Sequence, residues 1–308
     1  MGLRFQRYLN KMDYGIDITN RQISPEWINM YNDFDKLNNK LEINNLKPTS
    51  VRVNTMTLVT YLKNTTMDLE ELMAYLNKIA PDTASFPKKR TSNKVNGKLP
   101  SKQFYNSVSW KIHVKDGEHI FKVSAMFFPN GRIKFAGCKT VRCCSVLPQM
   151  LLSEILDTVL IGDKIIEKSG IEMVNSDFHV FDRKTVNLVQ QSNLQTIIRN
   201  SYMIKDNGQI KSAEYNPDKY PAVNIKFRPL ESPNQDSSKD ITICVFNPGS
   251  VIITGKKSFK DIKEGYEYIN NILNTHYKEL VYLRPDFQKV TNRVPKKKIT
   301  SFNSLLIQ

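Results

Sequence analysis

The chain is 308 residues long, carries a formal charge of +15 and has a sequence pI near 9.5. That length allows one or two domains around a substantial core, and the charge favours a polyanionic partner, nucleic acid ahead of an acidic membrane surface. Four cysteines without a C-x-x-C pair argue against a disulfide framework and for a reducing compartment; MGLRFQRYLNKMDYG has no signal core and no run approaches the ~18 apolar residues of a span, so neither secretion nor a membrane partner is expected.

Residues 1–46 read as an N-terminal helical extension. Ser24-Pro25-Glu26 is a helix start, and Trp27, Met30, Tyr31, Phe34, Leu37 and Leu41 fall on one helical face, a stripe that packs on the body or on a partner. Residues 47–165 open with an alternating β-branched strand, Val51 to Val59. Asp68 with Glu71 caps a helix carrying Leu69, Leu72, Met73, Leu76 and Ile79, which Pro81 stops. A basic loop, Pro87 to Lys102, follows as solvated surface. Tyr105 to Ile112 then reads as a strand, Lys115-Asp116-Gly117-Glu118 as a turn and His119 to Phe128 as a strand. A helix from about Thr140 to Leu160 places Val146, Leu147, Met150, Leu151 and Ile155 on one face, with Pro148 in its first turns or kinking it.

The order recurs over residues 166–282. Ile171 to Ser176 is a strand, Asp182 starts a helix through Thr185, Val186 and Val189, and Pro221 to Arg228 is a strand followed by a polar excursion to Asp240. The strand Ile241 to Phe246, the turn Asn247-Pro248-Gly249, the strand to Thr254 and a helix with Phe259, Ile262, Tyr266, Ile269 and Leu273, capped by Ser258 and Asp261, complete the copy. The same plan runs from Ser124 to Lys139: both stretches have Phe-x-x-Gly, a five-residue strand and Gly-x-Lys. Tyr105 to Ile112 also aligns with Tyr220 to Phe227, so the chain is read as a duplicated unit of strand, helix, four antiparallel strands and helix. Residues 283–308 form a basic C-terminal tail ending in Pro295-Lys296-Lys297-Lys298 and beyond.

Catalytic signatures do not stand out. His113, His119, His179 and His276 are scattered without metal-ligand spacing, and there is no P-loop, G-x-S-x-G, G-x-G-x-x-G or H-E-x-x-H. The expectation is a binding protein rather than an enzyme, with no cofactor and no metal.

The duplicated unit resembles the saddle of the TATA-binding protein family. The motifs that carry it are Ala213-Glu214-Tyr215-Asn216-Pro217, Val245-Phe246-x-x-Gly249 and Thr254-Gly255-x-Lys257, with Phe128-x-x-Gly131 and Gly137-Cys138-Lys139 in the first copy. The likeness spans roughly residues 48 to 280 and is stronger in the second half. It implies an α+β fold with two pseudo-symmetric repeats forming one curved antiparallel sheet, helices on the convex face and a concave face for DNA. In that family, apolar rings wedge between base steps from the minor groove and bend the duplex.

Carried over residue by residue, the resemblance puts intercalating rings at Tyr105, Phe128, Tyr220 and Phe246, with Tyr where the family has Phe at 105 and 220; Phe104 replaces Tyr105 if the register slips by one. Phosphate contacts fall to Lys111, Arg132, Lys139, Lys219, Lys226 and Lys257, and groove contacts to Lys134, Ala136, Ile252 and Thr254. Asn54 and Asn175 are candidates for the family's central asparagine; another register puts Val51 and Glu172 there, and a carboxylate at Glu172 or Asp177 facing the groove would repel phosphate. The implied role is a transcription initiation factor on AT-rich double-stranded promoter DNA. Its partners would be the transcription machinery: RNA polymerase and TFIIB-like or TFIIA-like factors. The rivals are a saddle without sequence preference or one that docks proteins, and a substrate-binding part of a nucleic-acid enzyme. High Asn, Lys and Ile use fits a divergent lineage such as a large DNA virus or a protist, with work in a nucleus or a cytoplasmic viral factory.

Overall fold

Strand β2 (Arg52–Leu62) and strand β7 (Ile166–His179) pair antiparallel, and the rest of the sheet grows outward from that seam. The computed structural model describes residues 15–43, 45–86, 106–156, 160–163, 165–182, 187–203, 208–230, 240–255 and 258–283. Tyr105 and Phe104, Lys257, the 87–102 loop, most of the 230–240 excursion and the C-terminal tail from 284 lie outside those residues.

On one side of the seam stand β6 (Arg132–Cys138), β5 (His119–Phe127) and β4 (Val108–Asp116). On the other stand β12 (Ser250–Thr254), β11 (Ile241–Phe246), β10 (Tyr220–Phe227) and β9 (Ile210–Asn216). The order β4-β5-β6-β2 is mirrored by β10-β11-β12-β7, which is the arrangement two copies of one unit produce when their first strands pair. With β1 (Ile16–Asp17) and β3 (Ala84–Ser85) on the outer edge of β4, the described residues form an eleven-stranded curved sheet. The class is α+β.

Period-two patterning decides which face is core. Trp110, Ile112 and Val114 of β4, Val123 and Phe127 of β5, and Ile133 and Phe135 of β6 are buried, as are Ile225, Phe227, Ile243, Val245, Val251 and Ile253 in the second half. Each such burial contributes roughly 1.5–3 kcal/mol. Against this face pack α3 (Val141–Met150) on β4, β6 and β7, α4 (Gln191–Ile197) on β9 and β10, and α5 (Phe259–Thr275) on β11 and β12. Helix α2 (Leu69–Ile79) lies over β3 and β4; its N-cap Asp68 accepts from the amides of Glu70 and Glu71 at 2.9 and 3.0 Å. Its Leu72 and Leu76 are fully buried.

The N-terminal stripe packs on the body through Trp27, Met30, Phe34, Leu37 and Leu41, while Tyr31, expected on the same face, is exposed. Helix α1 (Ile28–Asp35), flanked by 3-10 turns Pro25–Trp27 and Lys36–Asn38, touches both α3 and α5 and so straps the two halves together. Trp27 and Leu37 are buried, the Phe34 ring meets Phe259 edge to face at 5.3 Å, and the Ser24 amide donates to Ser145 Oγ at 3.0 Å. The Tyr266 hydroxyl donates to the Thr49 carbonyl at 2.9 Å and accepts from the Leu41 amide at 3.3 Å.

Four sequence expectations shift. The turn predicted at Lys115 to Glu118 shrinks to Gly117-Glu118, because Asp116 stays in β4, buried and holding the Thr140 hydroxyl at 2.7 Å and the Arg142 guanidinium. The strand expected from Tyr105 to Ile112 accordingly runs later, as β4. The helix expected to Leu160 ends as α-helix at Met150 and continues as one π turn, Leu151–Ile155; Pro148 lies inside the α-helical part, where it has no amide to give the Cys144 carbonyl. Val189 belongs to a short strand, β8 (Asn187–Val189), paired with β13 (Val281–Leu283) and held by Asn247, so the helix expected from Asp182 does not run through it and the next described helix starts at Gln191; 183–186 lie outside the described residues.

Candidate nucleic-acid interface

The sheet face turned away from α3 and α5 carries the alternate residues of every strand. Cross-strand register fixes its rows: Lys134 beside Val59 and Ala136 beside Thr57 in the first half, Ile252 beside Asp177 and Thr254 beside Asn175 in the second. Because Phe-x-x-Gly and Gly-x-Lys recur at matched positions, Ala136 corresponds to Thr254 and Lys134 to Ile252. Their strand neighbours then correspond too, Thr57 to Asn175 and Val59 to Asp177.

At the outer end of the second half, Tyr220 and Phe246 stand together, ring centroids 5.7 Å apart and edge to face. Phe246 pairs across the ladder with Ala222, whose methyl is too small to cover the ring, and Tyr220, 40% exposed, leans in from the start of β10. Two of the four expected rings are thus brought side by side. In the first half Phe128 is half-buried, and its expected mate Tyr105 lies outside the described residues. Arg132 spans Phe128 and Tyr61, its guanidinium carbon 5.5 and 5.8 Å from the two ring centroids. That cation also lies 3.6 Å from Glu172, an attraction that offsets one of the three acids of β7.

Asn175 sits at the seam opposite Thr55, donating to its hydroxyl at 3.3 Å and accepting from the Thr254 hydroxyl. Asn54 is elsewhere: it is the extra residue of a β-bulge between Val53 and Thr55. Its pseudo-symmetric counterpart is Glu172, the extra residue where Thr57 pairs Met173 and Leu58 pairs Ile171. The position equivalent to Asn175 therefore carries Thr57, and the two candidate asparagines are not a matched pair.

Cations frame this face. Lys111 and Lys226 are exposed on β4 and β10, Lys226 donating to the Thr242 hydroxyl at 2.7 Å. Lys139 and Lys219 are exposed beyond β6 and before β10, while Lys134 is half-buried on the face itself. Sequence reasoning missed Arg52. It lies on the same face, pairs Asp177 in the ladder and grips its carboxylate with Nε at 2.9 Å and Nη2 at 2.7 Å. The Asp177 carboxylate raises the Arg52 pKa further above its ordinary value. Only the alternation of Arg52 between Val51 and Val53 hinted at its facing, and the bulge at Asn54 obscured the register.

Among the described residues no grouping of His, Cys, Asp and Glu could hold a metal ion. Cys143 and Cys144 of α3 are buried against Cys138 of β6, where hydrogen bonding to Cys138 and burial push the Cys143 and Cys144 thiols well above their ordinary range. Cys244 is different: it lies on the open face, donating to Asn224 Oδ1 at 3.1 Å.

Three similarities to known proteins stand beside this geometry. Residues 182–276 match the family of transcription factor TFIID, or TATA-binding protein. A curated relative, the TATA-box-binding protein-like protein of Acanthamoeba polyphaga mimivirus, is 28% identical over 210 residues, which is 62% of this chain. The match spans about half of that relative, 53% of its length. Among solved structures, Methanococcus jannaschii TBP aligns with a TM-score of 0.46 at 15% identity, covering 73% of this chain and 98% of that one.

Proposed function

We propose that this diverged TATA-binding-protein-like chain is a DNA-binding transcription factor that seats A·T-rich duplex along the open face of its sheet, enters the minor groove and bends it. The observation that carries the reading is the Tyr220–Phe246 pair, two rings held edge to face on a face otherwise flanked by lysines. Rings so placed offer π-faces to an unstacked base step, and a base–aromatic stack is worth about 1–3 kcal/mol. The floor between the ends is uncharged at Ala136, Ile252 and Thr254, a surface that suits the flat A·T minor groove and clashes with the guanine amino group. Initiation of transcription, with RNA polymerase and TFIIB-like or TFIIA-like factors assembled on the bent complex in a nucleus or a viral factory, extends the same reading.

The test is a gel-shift titration with fluorescence-measured bending on A·T-rich and G·C-rich duplexes of equal length. Preferential binding and bending of the A·T-rich duplex is expected. Equal affinity for both without bending would leave a saddle that holds DNA or protein without reading it, and turnover of either duplex would make it part of a nucleic-acid enzyme.

A further inference from the structure

Pairing between β2 and β7 sets two pseudo-equivalent positions on the open face, one at each end of the seam. At one end Arg52 faces Asp177; at the other, by the same correspondence, Gly170 faces Val59. The two ends could hardly differ more in chemistry. Arg52 is 64% exposed at its side chain and Asp177 28%, joined by a bidentate ion pair across the two repeats. Gly170 is uncharged, and a Cβ built on it would meet nothing within 4 Å.

Resting on the DNA reading above, we propose that Arg52 is a specificity-determining residue that enters the minor groove at one end of the seam, with Asp177 as its positioning residue, so that the duplex is read in one orientation. The physical case has three parts. The minor-groove edge of an A·T pair presents only acceptors, adenine N3 and thymine O2, whereas a G·C pair adds the guanine amino donor. A guanidinium is donor-only, so it complements the first and repels the second. A narrow A·T groove also concentrates negative potential that draws arginine in. An unanchored arginine would sweep the groove; the carboxylate fixes the plane of the fork through Nε and Nη2, on a side chain that is still 64% exposed. The same carboxylate, exposed alone, would repel phosphate, so the pair makes both residues compatible with DNA. Gly170 and Val59 offer no anchored fork: the cation of that row is Lys134 beside Val59, a point charge on a flexible stem that discriminates less, so the penalty concentrates at the Arg52 end.

The experiment replaces A·T pairs of a bound duplex one at a time with G·C or with inosine·cytosine, which lacks the amino group, and measures affinity for the wild type, Arg52→Ala and Asp177→Asn. Wild type should lose about tenfold at a G·C pair on one side of the centre only, and inosine·cytosine there should restore binding. Arg52→Ala should abolish that one-sided penalty while leaving penalties elsewhere. Asp177→Asn should reduce it several-fold while raising overall affinity at low salt, a combination that loss of fold integrity cannot give. An unchanged one-sided penalty in Arg52→Ala overturns the proposal and leaves the DNA reading intact. Wild-type protein that binds all duplexes alike overturns both.

Discussion

Tyr220 and Phe246 meet at an interplanar angle of 66°, with Ala222 as the cross-strand neighbour of Phe246. The contact is between two side chains of neighbouring strands, so each ring holds the other upright on a face that has no helix over it. An edge-to-face pair of this kind is worth about 0.5–1.5 kcal/mol. Replacing Phe246 or Tyr220 by Ala should therefore cost little in thermal stability and much in DNA bending. We expect bending of an A·T-rich duplex, read by fluorescence transfer between its ends, to fall sharply in either variant, with affinity lower by about 1–3 kcal/mol. Bending equal to wild type in Phe246→Ala would remove the ring from the interface.

Salt dependence tests the cation frame. Lys111 and Lys226 are exposed on the same sheet face. Each lysine that neutralises a phosphate should contribute about 0.9 to the slope of log affinity against log salt. Lys111→Ala and Lys226→Ala should each flatten the slope by about one unit and weaken binding to all sequences alike. A variant that changed sequence preference but not slope would be touching bases instead.

Gly249 holds the turn after Phe246. Its φ is +85°, and a Cβ there would lie 2.5 Å from Phe181 Cδ2 and 2.7 Å from Cε2. Gly249→Ala thus combines a left-handed backbone with a clash against a buried ring, and should lower stability by about 1–3 kcal/mol, seen as a lower midpoint in urea. Gly170→Ala, at a position with open space, should be close to neutral; it serves as the control.

Alkaline pH should loosen the N-terminal strap. Burial pushes the Tyr266 phenol above its ordinary 10.0, while the Leu41 amide pulls it down less. The phenol binds its proton more tightly folded than unfolded. Its contribution is complete below pH 10 and is lost as pH rises through the folded value. Tyr266→Phe should cost about 1 kcal/mol at pH 7, by stranding the Thr49 carbonyl and the Leu41 amide. Above pH 10 the gap between variant and wild type should narrow. A gap that stayed constant in melting scans from pH 7 to 11 would contradict the assignment.

Much of the molecule was legible in its residues. Alternation of apolar side chains announced the strands, since a sheet with one buried face requires that period, and caps such as Asp68 and Ser258 marked helix starts through local hydrogen bonds that need no distant partner. The repeated Phe-x-x-Gly and Gly-x-Lys stretches disclosed the duplication that the strand order then repeats. What the residues could not disclose was register. A one-residue bulge at Asn54 and another at Glu172 reverse the facing of everything beyond them, and bulges arise from pairing between strands far apart in the chain. Tertiary structure alone therefore decided that Thr57 rather than Asn54 matches Asn175, that Arg52 meets Asp177 across the seam, and that the N-terminal helix closes over both halves of its own chain. Each of these depends on which distant residue arrives opposite, and local sequence carries no energy term that selects it.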